Sequence, residues 1–117
     1  MGMSADDPKT PITGTVRLRA DGLGVELSGD FDLRSAPVLL DLLPRMLRNC
    51  RERGATRVEI DCVELTLCDS SGLTALIRAH QAAREAEVRV VLIDRPDHLG
   101  NLLDLAGLSE MFDQEKR

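Results

Sequence analysis

A chain of 117 residues has room for one domain around a single hydrophobic core and too little for two. An apolar fraction of 43% supplies that core without metal or disulfide support, while a formal net charge of −5, with lysine only at positions 9 and 116 and aromatic rings only at Phe31 and Phe112, argues against a nucleic-acid partner. Cys50, Cys62 and Cys68 fit neither a disulfide framework nor a zinc spacing, and neither a leader pattern nor an apolar run of membrane-spanning length occurs, so the expectation is a cytoplasmic protein with free thiols that uses no metal, cofactor or membrane.

Residues 1–13 (MGMSADDPKTPIT) hold two prolines, two aspartates and little apolar content, which predicts a flexible arm. TVRLRA and LGVELSG then alternate apolar and polar residues around Asp21-Gly22, the pattern of a β-hairpin. Val16 and Leu18 would share one face of the first strand, and Leu23, Val25 and Leu27 one face of the second. A helix follows, with Ser35 as its cap, Pro37 in its first turn, and a stripe of Leu39, Leu42, Leu43, Met46, Leu47 and Cys50 that ends at Gly54. Pro44 removes the backbone bond to the carbonyl of Leu40 and is expected to kink this helix or shorten its first half.

RVEIDC places Val58, Ile60 and Cys62 on one side of a strand, with Glu59 and Asp61 between them, and VELTLC bridges to CDSSGL. From Leu73 to about Glu85 the spacing predicts a second helix with Leu73, Leu76, Ile77, His80 and Ala83 on one face. VRVVLID reads as a buried parallel strand. Pro96 and Asp97 open a last helix that turns Leu99, Leu102, Leu103 and Ala106 inward and stops at Gly107. The order β-β-α-β-α-β-α implies an α/β domain, a mixed sheet with parallel inner strands and helices packed against it.

The segment Cys68-Asp69-Ser70-Ser71-Gly72-Leu73 sets two serines where a strand gives way to a helix. A serine-hydrolase elbow would need G-x-S-x-G with a histidine and an acid alongside. Only Gly72 follows, and His80 lies about two turns further along the same helix, out of reach as a base. A phosphoacceptor role for Asp61 would need an acidic pair after the first strand and a lysine near a late strand, and both are missing. Ser70 is the expected helix cap, Asp69 bonds or orients the turn, and Gly72 lets another backbone come close. Cys68, beside an aspartate, has no cation to lower its pKa and is expected to serve packing.

Three separated segments resemble one family in order and spacing. RVEIDCVELTLCDSSGLTALIRAH is similar to the signature of the STAS domain found in bacterial anti-sigma factor antagonists. LSGDFDLRSAPVLLDLL resembles that family's second-strand motif, and VVLIDRPDHLGNLLDLAGLSEMF its ending. The resemblance covers residues 14–113 as a STAS domain, leaving 114–117 as a tail. Cys68, where a larger apolar residue is usual, and Pro44 depart from the family pattern. The resemblance implies a non-enzymatic switch whose phosphorylated residue is Ser71, with Asp32, Asp69, Ser70 and Gly72 at the partner-binding end. Unphosphorylated, it would bind an anti-sigma factor that is also an ATP-dependent serine kinase, and so free a sigma factor; a serine phosphatase would reset it. ATP would belong to that partner. The family also implies an alternative, a structural subunit of a stress-signalling or lipid-transport complex.

Overall fold

The computed structural model describes residues 14–117, so the arm expected over residues 1–13 lies outside the described residues. The hairpin forms as the alternation predicts. Strand β1 (Thr15–Leu18) runs antiparallel to β2 (Gly24–Phe31), with Leu18 opposite Val25. Asp21 makes the turn by accepting a hydrogen bond from the Leu23 N–H at 3.0 Å, and Gly22 takes φ +72°, a left-handed geometry that glycine adopts without strain. Val25 and Leu27 are buried, and Val16, Leu18 and Leu23 pack at the edge of the same core.

Helix α1 (Ala36–Arg53) ends where expected, on Gly54 at φ +68°, and carries Pro44 inside it without being shortened. Leu39 and Leu43 before the proline and Met46 and Cys50 after it are all buried. Packing on both sides of the missing hydrogen bond holds the helix together, since most helical stability in proteins is tertiary. Strand β3 (Arg57–Cys68) is longer than the alternation implied: VELTLC does not bridge but continues the strand to the edge of the CDSSGL motif. It stays paired with β2 up to Phe31 opposite Cys68, absorbing two irregularities in register on the way.

Helix α2 (Ser70–Glu85) buries Gly72, Ala75, Leu76, Ala79 and Ala83. Its inward face is thus rotated from the expected one, leaving Leu73, Ile77 and His80 half-buried at the margin. The alanines have no bulk to hold the helix off the sheet, so its axis settles over them. Strand β4 (Arg89–Ile93) buries Val90 through Ile93 on both faces, as a central parallel strand does. Helix α3 (Asp97–Leu105) turns Leu99 and Leu103 inward, but Ala106 caps its C-terminus and is exposed, contrary to expectation. A further strand, β5 (Asp113–Glu115), escaped the periodicity because DQE carries no apolar alternation. It lies parallel to β4, and among the described residues the strand order is β1-β2-β3-β4-β5, with β1 antiparallel to its neighbour and the rest parallel.

Val58 and Ile60 face the helices, so Glu59 between them points to the opposite side of the sheet. It is 8% exposed and gathers three guanidinium groups. Arg19 reaches it at 2.6 Å, Arg57 at 2.6 Å, and Arg117 clasps both carboxylate oxygens at 2.8 and 2.5 Å. Arg57 and Arg117 also pair with Glu115, which ties the short β5 to the centre of the sheet.

Candidate functional site

At the end of β3 the backbone turns through Asp69, which is extended (φ −99°, ψ −169°) and caps α2. Its Oδ1 accepts hydrogen bonds from the Ser71 N–H at 2.9 Å and the Gly72 N–H at 3.0 Å. The expectation that Ser70 caps the helix is therefore corrected. Ser70 is already the first helical residue; it is exposed, and its carbonyl accepts from the Thr74 hydroxyl at 2.8 Å. An aspartate one residue earlier satisfies two orphan amides at once, which a serine at the next position cannot do. Asp69→Ala should consequently cost about 1 kcal/mol in urea denaturation, and Ser70→Ala only a few tenths at most. Equal losses in the two variants would contradict this assignment.

Gly72 performs the close approach expected of it. A Cβ there would lie 2.3 Å from the Phe31 carbonyl oxygen and 2.7 Å from the Phe31 ring. The absence of a side chain lets the first turn of α2 rest on the end of β2. That contact sets the loop after β2 beside the start of α2. Asp32, the first residue of the loop, accepts from the Arg34 N–H at 2.9 Å and pairs with its guanidinium at 3.0 Å. The Arg34 guanidinium holds the Asp32 carboxyl below the usual carboxylate range. Ser35 precedes α1 as expected, yet its hydroxyl makes no capping bond: it donates to the Asp30 carbonyl at 2.8 Å and accepts from the Asp32 N–H at 3.0 Å.

Between the loop, α1 and α2 an open groove of about 440 Å³ takes shape. Leu33, Pro37, Leu40 and Asp41 contribute to one wall, and Ser71 and Arg78 to the other. Ser71 is half-buried on this groove, whereas Ser70 lies outside it. Gly72 is buried and shapes the site without offering a side chain, and the Asp32 carboxylate is occupied by Arg34 next door. Leu33, 74% exposed at the lip, and Arg78 were not singled out in the sequence. Arg78 could have been found there, because it follows Ser71 by seven residues and so shares its helical face.

Neither histidine lines the groove. His98 Nε2 lies 3.2 Å from the Leu65 carbonyl, and the His80 ring packs edge-on against Phe112 at 5.6 Å. All three cysteines are free and buried. Burial, reinforced by the Asp69 carboxylate, pushes the Cys68 thiol up to about 12, which leaves it unreactive at neutral pH. Among the described residues no cluster of three or more histidine, cysteine or acidic side chains is arranged to hold a metal ion, and no helix is long and apolar enough to cross a membrane.

Comparison with known proteins agrees with this architecture. The family model described as Mlab, STAS domain, matches residues 15–113. The anti-sigma-B factor antagonist of Listeria monocytogenes is 27% identical over 93 residues, spanning 80% of this chain and 78% of that protein. Its namesake in Staphylococcus epidermidis is 23% identical over 88 residues, 75% of this chain and 78% of that protein. Among solved structures, a candidate anti-sigma factor antagonist from Thermotoga maritima superposes with a TM-score of 0.63 at 11% identity, covering 89% of this chain and 86% of that one. The anti-sigma factor antagonist SpoIIAA in its unphosphorylated form gives a TM-score of 0.55 at 14% identity, covering 80% and 83%. These two likenesses establish the fold.

Proposed function

The chain belongs to the STAS-domain family, and from that premise we propose that it is an anti-sigma factor antagonist switched by phosphorylation of Ser71. With Ser71 unmodified, the end of the domain built from Asp32, Asp69, Ser70 and the groove would bind an anti-sigma factor that is also a serine kinase, releasing a sigma factor. Phosphorylation by that kinase, with ATP held by the partner, would end the interaction, and a serine phosphatase would restore it. The protein would work in the cytoplasm by binding, not by catalysis. The observation that carries the reading is the Ser71 hydroxyl itself. It lines an open groove at a helix start, accessible to a kinase, with both histidines engaged elsewhere. The relatives named as anti-sigma-B factor antagonists, and a similar structure named as an unphosphorylated form, support it.

A second reading has an observation of its own. The matching family model bears the name Mlab, and Val63, Leu67 and Leu105 are exposed apolar residues that a permanent assembly could cover. In that case the chain would be a structural subunit of a stress-signalling or lipid-transport complex. Affinity capture from the native cell, with and without ATP, separates the two readings. The antagonist reading expects a kinase-like partner that ATP releases, and one phosphate mapped to Ser71 by mass spectrometry. A phosphate on Ser70, or a stoichiometric complex indifferent to ATP, would overturn it.

A further inference from the structure

We propose that a phosphate on Ser71 is received by the Arg78 guanidinium of the same chain, inside the groove between α1 and α2. The inference rests on the reading of Ser71 as the modified residue and adds where the phosphate goes. The usual anion seat at a helix start is its free N–H groups, but here Asp69 already occupies the amides of Ser71 and Gly72. Its carboxylate would repel a second anion. A phosphate must therefore turn away from the helix end, and the direction open to it is the groove that the Ser71 side chain already lines.

Arg78 waits in that direction. Seven residues after Ser71, it lies on the same face of α2, about 10.5 Å along the axis. Arg78 lines the same groove as Ser71, and because side chains on a helix lean towards its N-terminus, its long stem can extend back along that groove to meet a phosphate. Among the described residues Arg78 has no ion pair, whereas Arg34, on the loop beside the groove, is committed to Asp32. Thr74, between Ser71 and Arg78, has its hydroxyl proton committed to the Ser70 carbonyl. Asp41 on the facing wall is the groove's negative charge, and it keeps the phosphate on the α2 side. A guanidinium paired with phosphate in this position fills the groove between Leu33 and Leu40. The modification then closes a docking cleft as well as adding charge.

The test installs phosphoserine at position 71 during translation, so that it needs no kinase or partner, and follows the phosphate by 31P NMR titration. Phosphoserine has its second pKa near 6, and an arginine contact lowers it. Arg78→Gln should raise that pKa by roughly half a unit relative to the phosphorylated wild type, and Asp41→Asn should lower it by a similar amount. Arg34→Gln should leave it unchanged. An unaltered titration in Arg78→Gln, or a shift that follows Arg34 instead, would overturn the inference. The proposed function fails by a different result, the absence of a kinase partner in the capture experiment, so the two outcomes remain distinguishable.

Discussion

Glu59→Gln should remove about 3 kcal/mol of folding stability at pH 7. Arg117 above all, then Arg19 and Arg57, hold the Glu59 carboxyl at about 2 against an ordinary value of 4.5, in spite of the opposing effect of burial. A depression of that size corresponds to roughly 3 kcal/mol. Because the folded pKa is the lower one, this contribution is complete above about pH 4.5 and disappears as the pH falls through about 2. Denaturation with urea at pH 7, 4.5, 3 and 2 should therefore show wild type and Glu59→Gln converging at the acid end. The loss stays near the lower limit for a broken buried pair, since Arg19 retains Asp21 and Arg57 retains Glu115. Parallel curves with a constant gap would mean that Glu59 acts through packing and not through charge.

That cluster marks a boundary of what the sequence discloses. Local rules were sufficient wherever one residue decides one geometry. Asp21-Gly22 signals its hairpin, Gly54 and Gly107 take the left-handed conformations that stop helices, and Gly72 is small because Phe31 lies against it. What escaped depends on partners far away in the chain. In RVEIDC Glu59 shows only as a residue on the face opposite Val58 and Ile60, and only folding brings Arg19 and Arg117 to it from either end. Strand β5 is invisible for a related reason: its support is β4 beside it and the ion pairs of Glu115, not an apolar period.

At the candidate site the motif was legible and its division of labour was not. Asp69 and Ser70 are both good capping residues, and one residue of offset in the helix start decides between them. The groove was hidden altogether, because its walls come from a loop, α1 and α2, which are separate in sequence. The strand-like length of VELTLC was likewise set by tertiary pairing with β2, which carries the chain straight to Asp69 and fixes where the helix begins.

Phosphorylation of Ser71 should weaken binding to the anti-sigma factor about 100-fold, which requires roughly 2.7 kcal/mol of lost interaction. Steric bulk and a charge of about −1.5 to −2, placed at the groove proposed to receive the partner, are of the right size to supply it. The fold itself should be indifferent. Ser71 is half-buried beside open space, its N–H is bonded through Asp69, and its hydroxyl plays no part in the cap. Ser71→Ala should keep the circular dichroism and melting behaviour of the wild type and hold the partner even when ATP is present. Ser71→Asp should also fold normally yet bind more weakly, by less than phosphoserine does, since a carboxylate brings one charge and fewer oxygens to the groove. Calorimetric titration of wild type, Ser71→Ala, Ser71→Asp and the phosphoserine form against the captured partner measures this order directly. If Ser71→Asp binds as tightly as wild type, while phosphoserine at 71 has no effect on affinity, the groove is not the docking surface. The switch would then have to be sought on the exposed apolar face around Val63 and Leu67.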